Sequence, residues 1–286
     1  MIYVGLTSWG DHPSLYSTST AAKEKLFDYS GHFPIVEVDT AFYAIPSVQN
    51  VEKWCSETPE SFRFILKAYQ GMTGHLRDEI PFETKNDMFA AFKEAVAAFE
   101  RHGKLGMLLF QFPPWFDCSP KNVNYLRYIR QQLPTEKIAI EFRNQTWFSA
   151  AMQDKTLQFL RSLHYIHVVC DEPQVGAGCV PFVPEVTYDD VLIRMHGRNV
   201  FGWRNVGNAE NWRKVRFLYN YSEQELQWLA EHVQSLQQRA KNVYVLFNNN
   251  SDYDAAPNAK TLLQLLNIEF EELSPKQLDM FEGDFT

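Results

Sequence analysis

The chain has 286 residues, of which 45% are hydrophobic, and it contains 22 Phe, 13 Tyr and 7 Trp. A sequence with this much apolar and aromatic side-chain area is able to fold around a large core, which excludes an intrinsically disordered protein. Its 27 basic and 35 acidic residues give a net charge of −8. This charge argues against a general attraction to nucleic acid or to an anionic membrane.

The N-terminal segment and the cysteines indicate the cellular compartment. Residues 1–9 contain neither a basic region nor a small-residue cleavage site, so they do not resemble a signal peptide. No apolar run reaches the roughly 18 residues that a membrane span needs. The four cysteines are far apart and include no Cys-x-x-Cys pair. We therefore expect a cytoplasmic protein, without a membrane partner, a disulfide framework or a thiolate zinc site.

Eight short apolar runs of strand type alternate with helical patterns along the chain. The predicted strands cover residues 3–7, 35–39, 62–67, 106–112, 138–143, 165–170, 191–196 and 243–248. Residues that cap helices mark several helix starts between them. These are, in chain order, Ser47, Thr84 with Asp87, Ser119 with Pro120, and Ser222 with Glu225.

The alternation predicts the fold class. Eight strand–helix units fit a (β/α)8 barrel, for which about 250 residues is typical. A doubly wound open sheet is the alternative, but no Gly-x-Gly-x-x-Gly loop follows the first strand. No linker rich in Pro, Gly or Ser divides the chain. We predict one α/β domain, a (β/α)8 TIM-type barrel over residues 1–268, with a short acidic tail over residues 269–286.

Polar residues cluster near the C-terminal ends of the predicted strands, where barrel enzymes have their active sites. Because side chains alternate between the two faces of a strand, these residues are predicted to point into one mouth. They are Glu37, Asp39, Lys67, Gln111, Glu141, Arg143, Asp171, Arg194, His196 and Asn248. Burying so many ionisable groups is costly, which favours a catalytic use. An ion network that only closes the barrel is the alternative.

The residue types indicate the chemistry of this mouth. Lys67, Arg143 and Arg194 are predicted to bind an anionic group such as phosphate. Further substrate-binding residues are predicted to be Gln111, Asp171 and Asn248, and the predicted acid–base catalysts are Glu37, Glu141 and His196. No cofactor is predicted. A divalent metal is left open, although it would compete with three fixed cations.

The same residues carry a resemblance to a known family. The strings that carry it are Gly5-Leu-Thr-Ser-Trp9, Val36-Glu-Val-Asp-Thr-Ala-Phe-Tyr43, Phe64-Ile-Leu-Lys67, Phe110-Gln-Phe-Pro-Pro114, Ile140-Glu-Phe-Arg143, Arg194-Met-His-Gly197 and Phe247-Asn-Asn249. They resemble the motifs of the YecE-like family, domain of unknown function 72. This resemblance implies a TIM-barrel-type fold, names no activity, and adds Tyr43 to the predicted substrate-binding residues. The sequence departs from the family at Asp39, where Asn is common.

A basic segment follows the seventh predicted strand. Residues 194–219 carry one acid and six bases, which are Arg194, Arg198, Arg204, Arg213, Lys214 and Arg216. Bases interleaved with aromatic residues are able to bind a nucleic-acid fragment. The acidic remainder of the chain favours another interpretation, in which these arginines pack across the top of the barrel and serve an anionic small molecule.

The acidic tail contains a short motif. Gln277-Leu-Asp-Met-Phe281 resembles the peptide by which bacterial replication and repair proteins bind the DNA polymerase sliding clamp. Gln277, Leu278, Met280 and Phe281 are the predicted partner-binding residues. The alternative is a tail that packs Phe281 on its own barrel.

Two functional hypotheses result. The first is an enzyme of hydrolase or lyase type that acts on a phosphoester or sugar substrate. The second is a clamp-associated accessory protein in DNA repair or replication, with or without catalysis.

Overall fold

The structure is a computed structural model that describes residues 1–76, 81–204 and 215–275. Eight parallel strands in chain order close into a barrel, in which the last strand pairs with the first. The strands are β1 (Ile2–Thr7), β2 (Ile35–Val38), β3 (Arg63–Lys67), β4 (Leu105–Gln111), β5 (Ile138–Glu141), β6 (Tyr165–Asp171), β7 (Asp190–Met195) and β8 (Asn242–Phe247). The predicted (β/α)8 fold is confirmed.

Helices follow the strands and cover the outside of the barrel. Within the described residues they are α1 (Lys25–Ser30), α2 (Val48–Ser56), α3 (Gln70–Thr73), α4 (Lys85–Arg101), α5 (Pro120–Gln132), α6 (Gln153–Ser162), α7 (Val200–Trp203), α8 (Glu223–Gln237) and α9 (Ala255–Leu266). None of these helices combines the length and the hydropathy that crossing a membrane requires.

Local capping explains several helix starts. Thr84 and Asp87 form the predicted capping box before α4, in which each side chain accepts a hydrogen bond from the backbone of the other. Ser222 and Glu225 do the same before α8. Helix α5 begins at Pro120 as predicted, but the Ser119 side chain donates and accepts no capping bond. Without a capping bond from Ser119, the feature that favours this helix start is the fixed φ of Pro120.

The core has two layers. All residues of β2, β5, β6, β7 and β8 are buried. Because side chains alternate between faces, this burial means that the barrel interior and the layer beneath the helices are both packed. The charged residues at the ends of these strands therefore lie in an enclosed environment.

Part of the predicted tail packs on the barrel. After α9, the chain crosses the N-terminal face, where the Ser61 hydroxyl donates to the Glu272 carbonyl at 2.9 Å. The Ser274 amide donates to the Ser30 carbonyl at 3.1 Å, and the two serine hydroxyls lie 2.8 Å apart. Residues 269–275 therefore follow the face of the barrel opposite the predicted site.

Candidate active site

A fully buried guanidinium, that of Arg194 beside the end of β7, links two carboxylates. Its Nε and Nη2 atoms donate to the two oxygens of Glu37 at 3.0 and 2.7 Å. Its Nη1 atom donates to Glu141 at 2.6 Å and to the Gln111 side chain at 3.2 Å. The side chains of Arg194, Glu37 and Glu141 have no exposed surface. These partners come from three strands, β2, β4 and β5, so their contacts with Arg194 on β7 close the C-terminal end of the barrel interior.

A second guanidinium extends this network. Arg143, two residues after Glu141, donates from Nε to Glu141 at 2.6 Å and from Nη1 to Glu172. Glu172 also accepts a hydrogen bond from the Val180 amide at 2.6 Å. Glu141 therefore lies between two guanidinium groups, whereas Glu172 pairs with that of Arg143.

His196 is neutral in this arrangement. Nη2 of Arg143 lies 2.7 Å from its Nε2 atom. A carboxylate oxygen of Glu141 also lies 3.3 Å from Nε2, so this ring nitrogen contacts a cationic donor and an anionic acceptor. Nδ1 lies 2.9 Å from the amide nitrogen of Asn248. Burial, together with the charge of Arg143, lowers the pKa of His196 well below its usual value.

The carboxyl groups of the network have different pKa values. Burial acts to raise the pKa of Glu141, but the guanidiniums of Arg143 and Arg194 outweigh it and hold the pKa well below its usual value. In Glu172, burial dominates over Arg143 and raises the pKa to about 7. Burial also raises the pKa of Glu37 against the opposing charge of Arg194. A carboxylate that stays ionised beside one that titrates near neutral pH is typical of acid–base sites.

Lys67 lies at the accessible edge of the network. Its Nζ atom donates to Asp39 at 2.6 Å and lies 3.8 Å from Glu37. The Lys67 side chain is 11% exposed and that of Asp39 is 31% exposed. Although burial acts in the opposite direction, Lys67 lowers the pKa of Asp39. This pair is the part of the network that a solute meets first.

The segment after β7 covers the other side of the network. The Trp203 ring lies 5.3 Å from the guanidinium carbon of Arg143 and 4.1 Å from that of Arg216. The Phe217 ring lies 6.0 Å from the His196 ring. Burial and the charge of Arg143 lower the pKa of Arg216 to about 10, so it remains charged at neutral pH. The Trp203 ring therefore contacts the guanidiniums of both Arg143 and Arg216.

Most of the predicted site residues meet in this network. They are Glu37, Lys67, Gln111, Glu141, Arg143, Arg194, His196 and Asn248. Tyr43 does not join them. Its side chain is 64% exposed and its ring packs on Phe42 with the centroids 5.1 Å apart. Its role in substrate binding stays a prediction for the rim of the mouth.

The structure corrects the orientation predicted for β6. The Sγ atom of Cys170 lies within 4.8 Å of a Glu141 oxygen, so Cys170 faces the network. Asp171 instead accepts hydrogen bonds from Arg198 at 2.7 to 3.0 Å and from the Tyr221 hydroxyl at 2.6 Å. Because neighbouring strand residues face opposite sides, placing Asp171 inward was one residue out of register. In the structure, Asp171 positions Arg198.

Sequence reasoning missed Glu172. The side-chain alternation of β6 ends with the strand at Asp171, so it makes no prediction for Glu172. Pro173 follows directly after Glu172. The turn at this point brings the Glu172 side chain to Arg143. The available signal was its position, since acidic residues directly after a buried strand lie on the catalytic face of a barrel.

One set of side chains has ligand types that bind metals. Ligand atoms of Glu141, Cys170 and His196 lie within 4.8 Å of one another. Burial raises the pKa of the Cys170 thiol well above its usual value, which opposes the thiolate form that a metal needs. Glu141 and His196 are already bonded to Arg143. A metal would therefore have to displace this guanidinium.

Two predicted features fall partly or wholly outside the described residues. Residues 205–214 contain Arg213 and Lys214 of the basic segment, and residues 276–286 contain the clamp-like motif with Gln277, Leu278, Met280 and Phe281. Arg198 lies within the described part, where it also bonds to Glu225 at 3.1 Å.

Comparison with known proteins shows the family. The profile described as "Protein of unknown function DUF72" matches residues 3–280. This chain belongs to the DUF72 family. The UPF0759 protein YunF of Bacillus subtilis (strain 168) is 54% identical over 282 residues, which cover 98% of this chain and 100% of that protein. The UPF0759 protein YecE of Escherichia coli (strain K12) is 28% identical over 171 residues, or 57% of this chain and 56% of its own.

Solved structures agree with this membership. A DUF72 family protein from Enterococcus faecalis V583 has a TM-score of 0.90 at 41% identity, covering 98% of this chain and 100% of that chain. A DUF72 family protein from Thermotoga maritima MSB8 has a TM-score of 0.80 at 31% identity, covering 94% and 100%. The resemblance to the YecE-like family is therefore confirmed, and these names state no substrate or reaction.

Proposed function

We propose that this DUF72 protein is an enzyme that binds an anionic, phosphate-bearing substrate at the C-terminal mouth of its barrel. It acts on this substrate by acid–base chemistry, as a hydrolase or lyase. The observation that carries the proposal is the pair Glu141 and Glu172, which share Arg143 while their pKa values are displaced in opposite directions. Carboxyl pKa values displaced in opposite directions beside one cation are the pattern by which acid–base sites are recognised.

The contacts and the pKa shifts support different roles for the acidic residues. Glu172 is the proton-transfer group, because its pKa of about 7 allows it to hold and release a proton at neutral pH. Arg143 stabilises the carboxylate that remains after transfer. Glu141 stays ionised and orients Arg143 and Arg194. Glu37, whose pKa is also raised, is the second candidate for proton transfer.

Protonation of Glu172 favours anion binding. The cations of the network are Lys67, Arg143, Arg194 and Arg216, and its carboxyl groups are Glu37, Asp39, Glu141 and Glu172. When Glu172 is protonated, positive charge exceeds negative charge. One edge of Arg143 then loses its ionised partner and becomes able to bind a phosphate oxygen. Lys67, at the accessible edge, is the second cation that we propose for binding the anion.

A turnover screen tests this function. Wild type, Glu172→Gln and Glu141→Gln are incubated with phosphate monoesters, sugar phosphates and phosphodiesters, and the release of products is measured. We expect at least one class to be turned over, with a loss of about 100-fold or more in Glu172→Gln, the size of a general acid–base contribution. Glu185→Gln, at a partly exposed carboxylate that pairs with Arg161, is the matched control and keeps full activity. Equal turnover by wild type and Glu172→Gln, or no turnover of any class, contradicts the proposal.

We propose, second, that the tail binds a DNA polymerase sliding clamp. The support is the Gln277–Phe281 motif, together with the anchoring of Ser274 on Ser30. This anchor lies on the N-terminal face, which is opposite the mouth. Catalysis and clamp binding are therefore compatible in one molecule.

A further inference from the structure

Aromatic side chains from three successive loops stand together beside the charged network. Phe42 and Tyr43 follow β2, His75 follows β3 and Trp115 follows β4. The ring centroids of Phe42 and His75 are 4.9 Å apart, and those of His75 and Trp115 are 5.9 Å apart. The rings meet at 83° and 69°, which is the edge-to-face geometry that aromatic pairs prefer. We call these four residues the aromatic wall.

The aromatic wall is continuous with the network. The Lys67 ammonium lies 5.0 Å from the centroid of the Phe42 ring and bonds to Asp39 on its other side. Burial, and then the positive charges of Lys67 and Arg143, lower the pKa of His75 to about 4. The imidazole of His75 is therefore uncharged at neutral pH, and its ring belongs to an apolar surface that adjoins the cations.

The outer part of the aromatic wall is accessible and fixed in orientation. The side chain of Trp115 is 49% exposed and that of Tyr43 is 64% exposed. The indole N–H of Trp115 donates to the Gly74 carbonyl at 3.0 Å, which sets the plane of the ring. Exposed aromatic rings held rigidly beside a polar site are able to stack on sugar or nucleobase rings with little loss of side-chain entropy.

We propose that the aromatic wall binds the ring of the substrate, a sugar or a nucleobase, by stacking on Trp115, while the network beside Lys67 binds the phosphate of the same molecule. This inference rests on the proposed function for the phosphate part. The substrate class is then a ring compound that carries a phosphate group, either a sugar phosphate or a nucleotide. Sugar phosphates and nucleotides both offer a ring that is able to stack, and a nucleotide differs from a sugar phosphate by its base.

Calorimetry with three probes tests the aromatic wall. Inorganic phosphate, ribose 5-phosphate and adenosine 5′-monophosphate are titrated into wild type, Trp115→Ala and Trp115→Phe at pH 7. We expect at least one ring-bearing probe to bind wild type about tenfold or more tightly than inorganic phosphate. Trp115→Ala removes this advantage and leaves the affinity for inorganic phosphate unchanged, and Trp115→Phe restores most of it. A gain with both ring-bearing probes identifies a sugar subsite, and a gain with the nucleotide alone identifies a base subsite.

The control variant is Phe27→Ala, at an aromatic residue of α1 that is 41% exposed and lies outside the aromatic wall. Its affinities remain those of wild type. If inorganic phosphate binds but neither ring-bearing probe binds more tightly, the aromatic wall is not a ring subsite, although the proposed function stands. The same conclusion follows if Trp115→Ala weakens all three probes alike. If no probe binds, the proposed function fails and the ring subsite fails with it.

Discussion

Glu141 and Glu172 accept hydrogen bonds from one guanidinium, that of Arg143, and yet their pKa values move in opposite directions. The two glutamates differ in their second hydrogen-bond donor. Glu141 receives another charged donor from Arg194 at 2.6 Å, whereas Glu172 receives a neutral donor, the Val180 amide, at the same distance. A charged donor stabilises a buried carboxylate far more than an amide does. Between these two glutamates, the contact with Arg194 distinguishes the one whose pKa is lowered.

The stability of the fold is expected to depend on pH through Glu172. Its pKa is raised in the folded state, so its contribution to the free energy of unfolding is fully present below its usual pKa and is lost as the pH rises through about 7. We expect the difference in free energy of unfolding between wild type and Glu172→Gln to change by about 2–4 kcal/mol from pH 4 to pH 8, at about 1.4 kcal/mol per pKa unit. Urea unfolding at several pH values measures it, and a pH-independent difference would contradict the assignment.

Removing Arg194 is expected to destabilise the protein strongly. Arg194→Met leaves Glu37 and Glu141 buried without their shared cation, and breaking a buried ion pair in this way costs about 3–5 kcal/mol. The control is Arg161→Met, at an exposed arginine that pairs with Glu185. Exposed pairs contribute only about 0–1 kcal/mol. Urea unfolding compares the two, and equal losses in both variants would show that the network is not energetically central.

The alternation of side chains between the two faces of a strand was sufficient, on several strands, to predict which residues point into the mouth. Glu37, Glu141 and Arg194 each follow an outward-facing apolar residue, and the structure brings all three together. The same rule predicts an inward Asp171, whereas the structure turns Cys170 inward. Cys170 pairs with Arg194 in the register of β6 and β7. Because paired residues of neighbouring strands face the same side of the sheet, Cys170 faces inward with Arg194.

The remaining features of the site depend on contacts that a linear pattern does not contain. The contact of Glu172 with Arg143 follows a turn beyond the end of β6. The opposite pKa shifts of the two glutamates depend on which donors reach each oxygen. The covering of Arg143 by Trp203 joins a loop after β7 to a residue after β5. Such relationships require the three-dimensional arrangement.

Chelation is expected to leave the protein unchanged. The candidate metal ligands Glu141 and His196 are bonded to Arg143, and the Cys170 thiol holds its proton at neutral pH. We therefore expect EDTA followed by dialysis to leave the melting temperature and the affinity for sulfate as they were. A fall in melting temperature on chelation that Zn²⁺ reverses would instead assign these three residues to a metal site.

The tail motif predicts binding to a purified bacterial sliding clamp. We expect wild type to bind and the Gln277→Ala/Phe281→Ala variant to lose about tenfold or more in affinity, because anchor residues dominate such contacts. Glu282→Ala, just outside the motif, is the matched control and retains affinity. Calorimetry provides the measurement. Equal binding by wild type and the double variant, or no binding by either, would exclude the clamp proposal.

We propose that the mouth binds anions under the control of a proton on Glu172. Calorimetric titration of sulfate from pH 5.5 to 8.5 tests it most directly, because the charge of sulfate is constant over this range. We predict that the affinity of wild type falls about tenfold or more as the pH rises through about 7, and that this fall is absent in Glu172→Gln. No sulfate binding at any pH, or the same pH dependence in both proteins, would contradict the claim.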